Sequence, residues 1–452
     1  MFPIFAFLRY CLCSKVSMSK IVACMDWQEL YSFASKQALL GLCFDGIERL
    51  GKEYPEELKR NPIGRELLMN WMGKAQQIRR QNMKVNAVAG KLFAMLREDG
   101  FRCCVLKGQG NALMYPNSYS RTPGDIDVWV NASREDITEY AKCHFKLEDD
   151  IRFHHLETTM YGVPVELHFF PCSMNNPLYN ARLQKWFKRN ADLQCSNVVG
   201  LPDGIGEIAI PTTAFNVVYQ LTHLYHHFFD EGIGMRQIID YFLVLNDFSK
   251  NVFLNNNLSN PSVSLSKGSS TSHPSPLSSE ERDVTALRCS EPLRSKDGGP
   301  SKVSPDCAGW DRRDAIGDTS SASGSSASST AVTSSASTAL DVVQRELKYL
   351  GLWKFAGAVM YVLHEALGLS EEKMIVPMDE KRGKLLLSEI MDGGNFGKHF
   401  TKYGHFTQQG MAKKYFLKIW RNMHFVRYYP AEALSEPIFR TWHFFWRMKN
   451  KK

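Results

Sequence analysis

The stretch Arg121-Thr122-Pro123-Gly124-Asp125-Ile126-Asp127-Val128-Trp129-Val130 decides how this chain is read. Two carboxylates flank one apolar residue, and the apolar run after them has the character of a strand. Side chains at i and i+2 of a strand share a face, so Asp125 and Asp127 project together. Carboxylates that close repel one another unless positive charge lies between them, and a divalent cation is the usual answer. The rest of the chain must then supply a third ligand and a place for phosphate.

Upstream, Phe101–Leu106 reads as a strand that ends in Lys107-Gly108-Gln109-Gly110. Glycines at such a turn let backbone N–H groups approach phosphate, and the start of the short helix that follows adds positive potential. Lys107 supplies a full charge. Arg121 either neutralises phosphate or holds the aspartate strand in place. Downstream, Ser133 caps a helix running to about Phe145. Strands at Arg152–Met160 and Val163–Phe170 follow, joined at Tyr161-Gly162. The alternation of Val163, Val165 and Leu167 against Glu166 and His168 fits a half-buried strand. Glu166 is therefore the expected third carboxylate. Oxygen ligands with open positions suit Mg²⁺, with Mn²⁺ the alternative, and two such ions can flank an in-line nucleotidyl transfer. The predicted order is helix, strand, turn, strand, helix, hairpin. That gives an α+β core with a small mixed β-sheet.

This arrangement resembles the nucleotidyltransferase superfamily that includes DNA polymerase beta. It looks most like an uncharacterised bacterial nucleotidyltransferase family within it. The elements that carry the resemblance are Lys107-Gly108, Tyr115-Pro116, Arg121, Gly124-Asp125-Ile126-Asp127 and Glu166-Leu167-His168, with the later helix Gly234-Met235-Arg236-Gln237-Ile238-Ile239-Asp240. The resemblance implies Asp125, Asp127 and Glu166 as metal ligands and catalytic residues. It implies Lys107, Gly108, Gln109, Gly110, Arg121 and Arg236 as contacts to a nucleoside triphosphate. The implied reaction moves a nucleoside monophosphate from an NTP to an acceptor hydroxyl, the acceptor being a protein, an RNA, a sugar or a small molecule. Two departures stand out. The superfamily's Gly-Ser turn is Lys-Gly in this chain, and the third acid is Glu rather than Asp.

The wider chain frames this core. It has 452 residues, 44% of them apolar, and a formal net charge of +8, concentrated toward the C-terminus. Apolar spacing of three and four predicts helices over 26–99 before the core at 100–211. Helical periodicity returns over 212–249 and 340–452. Between them, 250–339 is rich in Ser, Thr, Pro and Gly, too poor in apolar surface to offset the entropy of ordering, and reads as a disordered insertion. Residues 1–25 read as an N-terminal extension of uncertain status. No stretch is long and uncharged enough for a membrane span, and eleven cysteines without a framework suggest a reduced, cytoplasmic protein. His223 and His227, at i and i+4, read as half-buried residues bordering the cleft. Arg236 and Asp240 read as an ion pair on a helix surface. Two other functions compete: a non-catalytic binding module on the same fold, and a metal phosphohydrolase, which the sequence disfavours because no His/Asp array is evident around Asp125.

Overall fold

Four strands build the small mixed sheet of this α+β chain, seen in a computed structural model that describes residues 2–12, 16–147, 152–259, 338–400 and 411–450. They are β1 (Cys103–Leu106), β2 (Ile126–Val130), β3 (His155–Met160) and β4 (Val163–His168), in the order β1-β2-β4-β3. β2 runs antiparallel to β1 and parallel to β4, while β3 and β4 form a hairpin. The hairpin turns on Tyr161 (φ 51°) and Gly162 (φ 72°) alone. Two positive φ angles in succession match the twist of paired strands. A separate ribbon joins β5 (Val198–Gly200) to β6 (Glu207–Ala209).

Strand alternation divides the sheet's two faces. Cys103, Val105, Ile126, Val128, Val165 and Leu167 enter one apolar core, together with Val85, Leu92 and Phe93 of a long helix. The opposite face carries Cys104, Leu106 and Trp129 into a second core built mainly by helices. Asp127, Glu166 and His168 lie on that second face by the same alternation. Burial on both faces explains why β2 is apolar at every position except Asp127.

The helices are α1 (Phe2–Leu12), α2 (Ser19–Ala23), α3 (Trp27–Lys36), α4 (Leu40–Glu53), α5 (Pro55–Arg60), α6 (Arg65–Glu98), α7 (Gly108–Ala112) and α8 (Arg134–His144). After the sheet come α9 (Pro177–Ser196), α10 (Thr213–Asp230), α11 (Met235–Ser259), α12 (Ala339–Tyr349), α13 (Trp353–Leu367), α14 (Glu380–Gly393), α15 (Met411–Met423) and α16 (Pro430–Asn450). Residues Met1–Asn255 and Ser335–Lys452 form one compact unit. The N-terminal residues that stood apart in the sequence belong to its core, since Phe7, Leu8 and Tyr10 of α1 are fully buried. The insertion expected over 250–339 lies outside the described residues from 260 to 337. No helix among the described residues is long and apolar enough to cross a membrane.

Two elements differ from the sequence pattern. The helical periodicity that resumes at 340 runs without a visible stop to about 369, yet the chain there forms two helices, α12 and α13. The break falls at Gly351, whose φ of 74° is left-handed, and a Cβ at this position would stand only 2.6 Å from the Tyr179 ring. In addition, α9 occupies a span where the sequence suggested no element. Its start is written locally: Asn176 accepts from the N–H groups of Leu178 and Tyr179, and Pro177 takes the first helical position. Leu183, Trp186, Phe187 and Ala191 bury its inner stripe.

Candidate functional site

Strand register brings the acidic residues together. In the parallel pair, Asp127 lies opposite Glu166, and in the antiparallel pair Leu106 lies opposite Asp127. Lys107, next after Leu106, thus emerges beside the aspartate. Asp125 precedes β2 and is exposed, lining the same cleft as Asp127. Lys107 has φ 50° and ψ −133°, a conformation that costs a side-chain-bearing residue energy. Gly108 follows at φ 39°. These two line the cleft. The rest of the turn serves packing: Gln109 is buried and donates to Asn86, and Gly110 lies against Ile210, 2.9 Å from where a Cβ would stand.

Asp127 is the hub. Lys107 Nζ and His168 Nε2 each approach its Oδ1 at 3.0 Å. His168 Nε2 also lies 3.1 Å from Glu166 Oε2, so one imidazole spans both acids. Lys107 Nζ donates onward to His223 Nε2 at 2.9 Å, and His227 follows at 3.1 Å. His223 and His227 of α10 are half-buried, and His223 lines the cleft. Burial penalises the Asp127 carboxylate, yet Lys107 and the His168 hydrogen bond outweigh it and hold the acid well below the usual range. Burial also opposes charge on Lys107, but Asp127, Asp125 and Glu166 prevail and raise it. His168 is pushed up to about 9 against its own burial by hydrogen bonds to Asp127 and Glu166. Glu166 is raised by burial first, with Asp127's charge adding to it and the His168 bond opposing. The positive charge that a paired-carboxylate strand requires comes in part from the chain itself.

Arg121 lines the cleft while committing its guanidinium within the protein. It is buried, and it makes a fork on Asp240 of α11 with Nε–Oδ1 at 2.9 Å and Nη2–Oδ2 at 2.7 Å. Tyr115 Oη donates to the same carboxylate at 2.7 Å. Asp240 therefore does not form the surface pair with Arg236 that the i, i+4 spacing suggested. Arg236 is itself buried, donates from Nη1 to the Thr122 carbonyl at 2.9 Å and faces the Phe396 ring. Its Nε has no hydrogen-bond partner, nor does Nε2 of neighbouring Gln237, and both residues line the cleft. Two unpaired donors on residues that line the cleft are suited to an anion.

The donor set at the centre fits a divalent cation. Asp127, Glu166 and His168 offer ligand atoms that all lie within 4.8 Å of one another. A sequence scan for a His/Asp array misses this because the histidines are distant in sequence from Asp125. His168 shares a strand face with Glu166, and the hairpin register places His155 opposite His168 and Glu157 opposite Glu166. Period-two alternation across a two-residue turn is the signal that finds them.

Residues 23–260, more than half the chain, match the model of a family described as uncharacterised nucleotidyltransferase. No curated protein matches. Among solved structures, an antigenic nucleotidyltransferase-like protein from Paracoccidioides brasiliensis aligns at 15% identity, covering 39% of this chain and 88% of that one, with a TM-score of 0.25. A likeness that faint carries no argument.

Proposed function

The chain belongs to the uncharacterised nucleotidyltransferase family, and from that premise we propose that it moves a nucleoside monophosphate from an NTP to an acceptor hydroxyl, releasing pyrophosphate. The observation that carries the reading is the facing of Asp127 and Glu166 across β2 and β4, with Asp125 on the same cleft. These three carboxylates are the residues that would hold Mg²⁺, or Mn²⁺ in its place. A divalent ion bound there supplies charge neutralisation at the transferring phosphoryl group.

The remaining roles fall to side chains and backbone. Lys107 and the backbone of Gly108 meet the triphosphate, which replaces the superfamily's serine contact with a charge. Arg236 and Gln237 offer their unpaired donors to its outer phosphates. Arg121 acts at one remove: with its charge committed to Asp240, it ties the loop that precedes Asp125 to α11. Glu166 accepts the proton of the acceptor hydroxyl, a task favoured by a carboxyl held above its usual range through burial. The acceptor belongs to the classes of protein, RNA, sugar or small molecule. The test is incubation with labelled NTPs and Mg²⁺, comparing the wild type with Asp125→Ala/Asp127→Ala. Equal label transfer by both proteins would sink the mechanism.

One observation favours a second reading. The Lys107–Asp127 ion pair already balances the central carboxylate, as a non-catalytic nucleotide-binding module would require. Calorimetry separates the two: a pure binding module keeps its Mg·NTP affinity when Asp125 is replaced.

A further inference from the structure

Behind Glu166 and His168 the hairpin gathers a second set of donors. His154, His155 and His168 each present a ring nitrogen, and these nitrogens lie within 4.8 Å of one another. The rings crowd at centroid separations of 4.2 Å (His154–His155), 5.0 Å (His155–His168) and 5.6 Å (His154–His168). His155 and His168 are each 3% exposed.

The two buried rings share one pattern. His168 uses Nε2 against Asp127 and Glu166, while its Nδ1 is buried without a hydrogen-bond partner. His155 uses Nε2 against Glu157 at 3.2 Å, and its Nδ1 is likewise buried without a hydrogen-bond partner. The nearest acid to that atom is Glu166 Oε2, 3.3 Å away. An imidazole with one nitrogen fixed by a carboxylate and the other left unsatisfied is the arrangement of a metal-ligating histidine, in which the outer carboxylate sets tautomer and ring orientation. The buried Nδ1 of His168, without a hydrogen-bond partner, otherwise costs free energy for nothing in return.

We propose that His154, His155 and His168 form a nitrogen site for a transition-metal ion of the Zn²⁺ or Co²⁺ class, separate from the oxygen site at Asp125 and Asp127. Three imidazoles select against Mg²⁺, which prefers oxygen and water, and favour the later divalent metals. Glu166 lies between the two sites, its Oε2 3.1 Å from His168 Nε2 and 3.3 Å from His155 Nδ1. A histidine nitrogen must be free of its proton to ligate, so metal binding at this cluster competes with protons. The proposal does not rest on nucleotidyl transfer and stands or falls without it.

The test uses the full chain stripped of metal with a chelator and titrated with Co²⁺, whose visible absorption reports its ligands. With millimolar Mg²⁺ present to fill the oxygen site, one Co²⁺ per chain is expected, with visible bands. His154→Ala, which touches neither Asp127 nor Glu166, weakens Co²⁺ binding at least tenfold, and Glu157→Gln weakens it to a lesser degree. Asp125→Ala leaves the bands unchanged. Circular dichroism of each metal-free variant separates lost binding from lost fold, and His155→Asn serves if His155→Ala does not fold. The proposal is overturned if folded His154→Ala and His155 variants bind Co²⁺ like the wild type, or if Asp125→Ala alone abolishes the bands. Loss of label transfer in Asp125→Ala with Co²⁺ binding intact leaves the two sites distinct.

Discussion

Asp127 and Glu166 face each other across the parallel strands β2 and β4, and a single nitrogen, His168 Nε2, reaches both at 3.0 and 3.1 Å. The relationship follows from register alone. Because side chains alternate, fixing Asp127 opposite Glu166 also fixes which neighbours share the cleft and which enter the apolar core.

Asp127→Asn keeps the shape of the hub and removes its charge. Second-shell partners of metal ligands are commonly worth 10–100-fold, so a direct ligand is worth at least about a hundredfold in label transfer. The asparagine variant is preferable to alanine, which leaves Lys107 and His168 facing an unpaired hole. Steady-state transfer rates at saturating NTP check this, and a loss of less than tenfold would remove Asp127 from the ligand set.

Lys107→Met retains the side-chain stem and deletes the ammonium. If Lys107 meets the triphosphate, the KM for NTP rises by roughly tenfold while kcat changes less, as expected when a group binds ground state and transition state alike. The same substitution frees Asp127 from one of its two cationic contacts. A change confined to kcat would assign Lys107 to the chemistry instead.

Asp240→Ala strands the Arg121 guanidinium in the interior. Breaking a buried charged pair by removing one partner typically costs about 3–5 kcal/mol, whereas Tyr115→Phe removes one hydrogen bond to a charged group and costs about 1–3 kcal/mol. Denaturant titration measures both. Equal, small losses in the two variants would show that water reaches Arg121.

Glu432 on α16 gives the stability a pH dependence. Its buried carboxylate accepts from the backbone N–H groups of Asn175 at 2.6 Å and Asn176 at 3.2 Å. Burial raises it to about 7 in spite of those bonds. The unfolded carboxyl titrates near 4.5, so between the two values the folded chain holds a proton that the unfolded chain has lost. Stability from this group therefore falls as pH rises from about 4.5 to about 7 and levels off above, by a total on the order of 3 kcal/mol. Glu432→Gln should flatten that segment of the curve. Parallel curves for variant and wild type across the window would show that another group sets the slope.

The sequence made the core legible because its signals are local. Asp125 and Asp127 by spacing, Glu166 by strand alternation, and Ser133 as a cap, whose Oγ accepts from the Asp136 N–H, all depend on neighbours within a few residues. The Arg121–Asp240 fork spans 119 residues, and nothing near either residue announces it. The local i, i+4 signal between Arg236 and Asp240 even pointed elsewhere, since on an exposed helix that spacing does make pairs, and only burial against the Arg121 loop reassigns the acid. The end of α12 was hidden for a similar reason. Gly351 does not interrupt the apolar periodicity, and its role depends on Tyr179, which lies far upstream. The three-histidine cluster needed the hairpin register before His154 and His155 could be set beside His168.

The two-residue turn at Tyr161 and Gly162 has a further consequence for how this protein can change over generations. β4 is pinned along its other edge by β2, so a change in length that the turn does not absorb falls on β3. An odd insertion would rotate β3 by half a period, turning His155 and Glu157 toward the apolar core and Leu156 and Thr158 toward the donors. An even insertion would keep the facing and shift only who stands opposite whom. Most surface loops tolerate length changes of any size, but an insertion that this turn passes on to β3 must be even if the histidine donors are to keep their face.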